Sequence, residues 1–167
     1  QDPADHRVSL DIAFAWYTCV GVALVSVAVA IAVLIDHVPG SGVPALIAYL
    51  NGCKLRRFTS VKVLAGKFVA SAMTVACGLC AGPEGPIIHM GGCVGKQMLR
   101  LLYKASALGG RLGELHDLNT DSNAGDFVAL GAGAGIAAAF NAPLSGTLFV
   151  VEEASSFFSL PLLWRAF

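Results

Sequence analysis

A glutamate lies between two prolines where a long apolar run breaks, in the segment Gly82-Pro83-Glu84-Gly85-Pro86. Proline suits the first turn of a helix, and acidic groups are favoured near the positive end of the helix dipole. A carboxylate tethered there competes with a free anion for the same N–H groups, and it loses that attraction when it is protonated. The segment therefore predicts an anion site gated by Glu84. The alternative is a surface glutamate that caps a helix.

A serine hydroxyl lies between two glycines in the segment Gly40-Ser41-Gly42-Val43-Pro44. The proline again marks the first turn of a helix. The hydroxyl of Ser41 and backbone N–H groups of Gly40, Gly42 and Gly85 are together able to hold a dehydrated halide. The alternative is a plain loop in which Ser41 is an N-cap.

Two adjacent glutamates, Glu152 and Glu153, end a run that begins at Asn141 and Pro143. Carboxylates near a helix C-terminus in apolar surroundings are disfavoured as anions, which suits a group that loads and unloads a proton. Neighbours on a helix point about 100° apart, so at most one of them faces a given pathway. The alternative is a solvated helix end.

Three other features could carry chemistry. Lys67 is a lone cation in an apolar run, either a buried charge that tunes the potential for anions or a side chain that snorkels to the surface. His89 is expected to pack or to hydrogen-bond rather than to bind a metal. Cys77 and Cys80 have the spacing of a metal or redox pair, but the sequence has no second pair to complete a tetrahedral site. We therefore expect no metal and no other cofactor.

The composition indicates what kind of elements position these residues. Hydrophobic residues make up 56% of the 167-residue chain and charged residues 13%, about half the charged share of a soluble protein. Most of the chain therefore belongs in a bilayer, and disorder is excluded. The formal net charge of +0 gives no basic field for a phosphate backbone, so no nucleic-acid partner is expected.

One apolar run is long enough for a complete transmembrane helix. The uncharged run from Ile12 to Ile35 spans roughly 36 Å as a helix. The others are shorter or are interrupted by Gly and Pro, and broken helices at membrane depth occur where they line a cavity or are buried in protein. Transporters aim such half-helices at an anion. We predict an all-α membrane protein with tilted and broken transmembrane helices near residues 12–35, 44–51, 60–81, 86–103, 125–140, 142–155 and 160–167.

Taken together, the motifs resemble one family. The two proline-containing segments above, followed by Phe140-Asn141-Ala142-Pro143-Leu144 and Val150-Val151-Glu152-Glu153, are similar in order and spacing to signatures of the CLC chloride channels and chloride/proton exchangers. The resemblance covers Ala13 to Phe167. It implies most of the first of two inverted repeats, in a fragment that lacks the second repeat and the regulatory domains.

The resemblance also implies roles for individual residues. Ser41 matches the serine that coordinates chloride, Glu84 the gating glutamate, Glu153 the proton-transfer glutamate and Glu152 a structural acidic position, while Lys67 matches a family lysine. A serine at position 41 implies a preference for chloride over nitrate. The two glutamates resemble those of exchangers, and a channel without proton coupling is the alternative. Chloride and protons are then the substrates, and the partners are membrane lipid, the second repeat and a second copy in a homodimer.

Two departures from the family pattern qualify these expectations. Pro83 stands where the family often has Lys or Arg, and the chain contains no Gly-x-Phe-x-Pro motif and no tyrosine after Tyr103, so half of the family's anion site is missing.

Two other classes of function stay open. An intramembrane hydrolase would use Glu84 as a general base with Cys77, Cys80 or His89. A non-transporting scaffold would use only the small-residue packing faces.

Overall fold

The computed structural model of the chain describes residues 3–108 and 121–154, and every regular element in these two ranges is helical. The all-α prediction is therefore confirmed. The predicted helix at 160–167 lies outside the described residues. The elements in chain order are α1 Pro3–Leu34, α2 Val43–Leu50, α3 Val61–Ala76, α4 Glu84–Leu108, α5 Asp121–Phe140, α6 Pro143–Phe149 and a π-helical turn at Val150–Ala154.

Two helices in the described part are long and apolar enough to cross a bilayer. They cover Leu10–Leu34 within α1 and Asn123–Phe140 within α5. The outward surface of α1 carries large apolar side chains, including Phe14 and Trp16, which are more than two-thirds exposed. A surface of this kind is costly in water and ordinary in lipid.

Glycine and serine fix the ends of the shorter helices. Gly40 and Gly42 have φ values of 73° and 80°, a left-handed backbone that glycine adopts without strain, and α2 begins directly after them. The side chain of Ser60 accepts a hydrogen bond from the N–H of Val63 at 3.3 Å and caps α3. Helix α3 ends at Ala76, earlier than the predicted 81, because Gly78 turns left-handed with a φ of 78°.

Helix α4 begins at Glu84, two residues before the predicted start at 86, and extends beyond the predicted end at 103. The carbonyl of Pro83 accepts from the N–H of Ile87 at 2.9 Å, which closes the first turn around the glutamate. Helix α1 likewise begins earlier than the predicted residue 12, since polar residues near position 3 continue the same helix. In both cases helical geometry extends past the apolar run from which the boundary was predicted.

Helices α4 and α5 cross with their backbones in contact. A Cβ atom on Gly91 would overlap the carbonyl of Gly131, and a Cβ atom on Gly131 would overlap the carbonyl of Gly91. Gly95 and Gly135 lie against the opposite backbone in the same way. Small residues allow this approach where lipid supplies no hydrophobic drive between helices. The crossing holds α4, and with it Glu84, at a fixed position.

The segment after α5 is not one regular helix, as the predicted range 142–155 assumed. Asn141 has a φ of 50°, Pro143 opens α6, and a π-helical turn follows at Val150–Ala154. A π turn changes the direction in which successive side chains point, and such turns are frequent at functional sites. Val150, at its start, is buried.

The core lies where α2, α4 and α5 meet. Leu46 of α2 and Val128 of α5 are both fully buried, and Phe58, from the linker between α2 and α3, is 1% exposed. Ile88 of α4 completes this contact. The short helix α2 is thus anchored in the core by Leu46, and the loop at its N-terminus lies against the start of α4.

Candidate functional site

Ser41 and the first turn of α4 are in direct contact. A Cβ atom on Gly85 would lie 3.3 Å from the Cα of Ser41 and 3.7 Å from its Oγ. Gly85 is the second residue of α4 and Ser41 lies two residues before α2. The two sequence segments predicted to bind an anion are therefore adjacent in space.

This contact brings together hydrogen-bond donors. The first residues of a helix have N–H groups without an intrahelical acceptor, and in α4 those of Glu84 and Gly85 are of this kind. The Oγ of Ser41 accepts from the N–H of Val43 at 3.3 Å, so its own hydrogen is free to donate to another group. N–H groups at a helix start together with a hydroxyl suit an anion.

A cavity of about 420 Å³ opens beside this contact. It is lined by α1, by α3 and by the loop and helix starts that include Gly40, Ser41 and Gly85. Ser71 and Thr74 also line it, but their hydroxyls donate to the carbonyls of Phe68 and Ala70 at 3.1 and 2.8 Å. Their oxygens can then only accept, so among the described residues that line the cavity the side-chain donors that remain are Ser41 and Lys67.

Lys67 is buried beside the Ser41 loop. It is 2% exposed, and its Nζ donates to the carbonyl of Gly40 at 3.0 Å. The sequence allowed two interpretations of Lys67, a buried charge or a side chain that snorkels to the membrane surface. The structure shows the buried one. A cation held one residue from Ser41 favours negative charge in the cavity.

Glu84 lies at the start of α4 with its side chain turned back along the chain. A Cβ atom on Gly82 would overlap the carboxylate, with its Oε1 at 2.9 Å. The side chain is exposed, and it is not among the described residues that line the cavity, whereas its neighbours Pro83 and Gly85 are. The carboxylate therefore lies at the rim of the cavity in this conformation.

The glutamate pair lies in the π-helical turn, not at the end of a regular helix. Glu152 is exposed, and the side chain of Glu153 lies outside the described residues. The turn packs against α2, α5 and α6. Helix α2 is thus in contact with the glutamate turn and begins at the Ser41 loop, which makes it a physical link between the two predicted regions.

A cluster around Phe58 was not predicted from the sequence. The ring of His89 stacks on Phe58 with centroids 4.3 Å apart, and its Nε2 pairs with the carbonyl of Phe58 at 3.2 Å. Gln97 donates to the carbonyl of Thr59 at 2.7 Å. The available signal was the spacing of His89, Cys93 and Gln97, which are four residues apart and therefore share one face of α4. His89 packs and hydrogen-bonds, as predicted.

Two of the residues suggested for a hydrolase, Cys77 and His89, are used in other contacts. The Sγ of Cys77 donates to the carbonyl of Thr74 at 2.9 Å, and Nε2 of His89 is paired with Phe58. Cys77 and Cys80 are both free thiols. Within residues 3–108 and 121–154, no three His, Cys, Asp or Glu side chains are grouped so that they could hold a metal.

The fold and the site define an all-helical membrane protein in which broken helices meet around a cavity of about 420 Å³. A family model described as the voltage gated chloride channel matches residues 21–167. The chain therefore belongs to this family of integral, multi-pass membrane proteins.

Individual relatives agree with the family match. Chloride channel protein D of Dictyostelium discoideum is 47% identical over 128 residues, 77% of this chain and 13% of that protein. Chloride channel protein CLC-c of Arabidopsis thaliana is 38% identical over 135 residues, 77% of this chain and 16% of that protein. H(+)/Cl(-) exchange transporter 7 of Homo sapiens is 32% identical over 167 residues, 99% of this chain and 20% of that protein. The chain thus spans a fifth or less of the length of these relatives.

Proposed function

We propose that the protein to which this chain belongs transports chloride across a membrane in exchange for protons. The observation that carries the proposal is the contact of Ser41 with Gly85, because it joins two helix starts and a hydroxyl at one cavity. Buried Lys67 adds a positive charge beside it. Family membership and the exchanger among the relatives support chloride and protons as the substrates.

In this proposal each residue has one task. Ser41 donates its hydroxyl hydrogen to chloride, and the N–H groups of Gly40, Gly42 and Gly85 supply further donors. Glu84 starts the helix whose N–H groups bind the anion, so its carboxylate competes with chloride when ionised and withdraws when protonated. Glu153, in the π-helical turn that packs against α2, receives the proton, and Glu152 holds the turn in place.

Coupling is tested with the full-length protein in liposomes under a chloride gradient, with chloride efflux and proton uptake recorded together. We expect the wild type to move protons uphill as chloride leaves. Glu84→Gln removes the titratable carboxyl, so chloride flux continues and proton movement stops. Glu153→Gln gives the same separation. The matched control is Asp11→Asn, which neutralises an exposed acid outside the site and leaves both fluxes unchanged.

The alternative functions give different results. Chloride flux in the wild type without any proton movement reassigns the protein to the channels, in line with the two relatives that are named as channels. The scaffold interpretation predicts no chloride flux above that of empty liposomes. Chloride flux that is unchanged by Ser41→Ala, together with proton movement that is unchanged by Glu84→Gln, would exclude this cavity from the anion pathway.

A further inference from the structure

His89 is a buried imidazole that has no role in the proposed transport. His89 is 0% exposed, and its Nε2 lies 3.2 Å from the carbonyl of Phe58. A carbonyl oxygen can only accept, so Nε2 carries the hydrogen. In the neutral ring Nδ1 then holds a lone pair, and it is an acceptor.

The lone pair of Nδ1 has no partner. Among the buried side-chain nitrogen and oxygen atoms of the described residues, Nδ1 of His89 is the one that forms no hydrogen bond. Such an atom calls for a physical explanation, because leaving it unpaired costs free energy. It is not surrounded by apolar side chains alone, since it lies beside Gly42 in the Ser41 loop.

Gly42 shows what else lies at this point. A Cβ atom on Gly42 would overlap Nδ1 of His89, and it would lie 2.8 Å from Nζ of Lys67. Both nitrogens are therefore in contact with the same small volume. An ammonium has three donors, and one of those on Lys67 is used by the carbonyl of Gly40 at 3.0 Å.

We propose that His89 is a positioning residue for the anion site, and that it acts through Lys67. The lone pair of Nδ1 is the negative end of the neutral imidazole, and it faces the ammonium across Gly42. The Gly40 carbonyl holds the cation by a hydrogen bond, and the imidazole lone pair attracts it without forming one, which keeps the ammonium next to Ser41. Glycine is required at position 42 because its φ is 80° and because a Cβ atom there would overlap Nδ1 of His89. The affinity readout of this inference rests on the proposed chloride function.

An isosteric pair of variants separates the two nitrogens of His89. The amide of glutamine reaches the position of Nε2, so His89→Gln keeps the bond to Phe58 and loses the acceptor that faces Lys67. The amide of asparagine occupies the position of Nδ1, so His89→Asn keeps that acceptor and loses the bond to Phe58. We expect about tenfold weaker chloride binding for His89→Gln, because the attraction between the lone pair and the ammonium is lost, and a much smaller loss for His89→Asn.

Chloride binding is measured by isothermal titration calorimetry on the purified full-length protein, with thermal unfolding in parallel. If His89 serves only the core through Phe58, the order reverses: His89→Asn weakens binding and lowers the melting temperature more than His89→Gln does. That order overturns the proposal. A wild type that binds no chloride at all contradicts the proposed function instead, so the two failures are distinguishable.

A double-mutant cycle tests the route through Lys67. In a Lys67→Met background, His89→Gln is expected to change chloride binding by less than twofold, because the cation that it positions is gone. A further tenfold loss in that background excludes the route. Solid-state ¹⁵N spectra of histidine-labelled protein give a readout that does not depend on chloride. We expect an unprotonated Nδ1 at His89, and a protonated Nδ1 contradicts the proposal.

Discussion

Ser41 packs on Gly85 so closely that the first turn of α4 has no space for a side chain there. A Cβ atom at position 85 would lie 3.3 Å from the backbone Cα of Ser41, and a backbone atom cannot rotate away as a flexible side chain can. The serine hydroxyl can therefore lie where it does only because residue 85 is a glycine and carries no methyl group. The anion site and the packing of α2 against α4 depend on the same contact.

Gly85→Ala is expected to displace the Ser41 loop. Alanine is a better helix former than glycine, so helix propensity does not oppose the change. Any loss of chloride affinity therefore comes from the overlap with Ser41 alone. We predict about tenfold weaker chloride binding, equivalent to the loss of one hydrogen bond to the anion. Calorimetric titration of the full-length protein checks this. The control is Gly125→Ala, where a Cβ atom meets nothing within 4 Å, and equal affinities in the two variants would refute the prediction.

Gly131→Ala tests the crossing of α4 and α5. The added methyl would overlap the carbonyl of Gly91 and lie 3.0 Å from the Cα of Gly95, so the helices must separate. Overpacking of this kind costs about 1–3 kcal/mol of folding free energy. The measurement is the thermal unfolding midpoint in detergent. Gly125→Ala lies on the same helix in open space and is expected to leave the midpoint unchanged or to raise it. If Gly131→Ala unfolds at the same midpoint as Gly125→Ala, the contact between α4 and α5 at Gly131 is not tight.

The helix starts at the anion site could be predicted from the sequence because proline and glycine act locally. Pro44 and Pro86 mark first turns whatever the rest of the chain does, and both helices begin beside them. The end of α3 was placed too late because the run stays apolar to Ala81, while the chain turns at Gly78. The hydropathy of a segment does not indicate where its backbone turns.

The surroundings of the site could not be predicted, because they depend on contacts between distant residues. His89 pairs with Phe58 across 31 positions, and Lys67 with Gly40 across 27. A lysine in an apolar run is equally compatible with snorkelling and with burial. Only the packing of α3 against the Ser41 loop decides between them.

Ser60→Ala is expected to weaken the start of α3 without changing the anion site. The Oγ of Ser60 accepts from the N–H of Val63 at 3.3 Å, and loss of an N-cap costs about 0.5–2 kcal/mol. Thermal unfolding should fall accordingly, while chloride affinity stays within twofold of the wild type. Ser60→Asp, which keeps the cap, should restore the midpoint. If Ser60→Asp is as unstable as Ser60→Ala, the side chain does not act as a cap.

Lys67→Met is expected to weaken both the fold and the anion site. The substitution keeps most of the side-chain volume and removes the cation, which leaves the carbonyl of Gly40 without the donor that it has at 3.0 Å. Loss of a hydrogen bond to a charged group costs about 1.5–3 kcal/mol, which lowers the unfolding midpoint. Chloride binding weakens as well, because the positive charge beside Ser41 is gone.

The matched control is Lys62→Met, which removes an exposed lysine from the first turn of the same helix. Charges in water are screened and contribute little, so Lys62→Met should change neither the midpoint nor the chloride affinity by more than experimental error. Lys67→Arg keeps the charge but places a larger planar group where Gly42 leaves little space, and we expect intermediate affinity. Equal chloride binding by Lys62→Met and Lys67→Met would mean that the buried ammonium does not act on the anion.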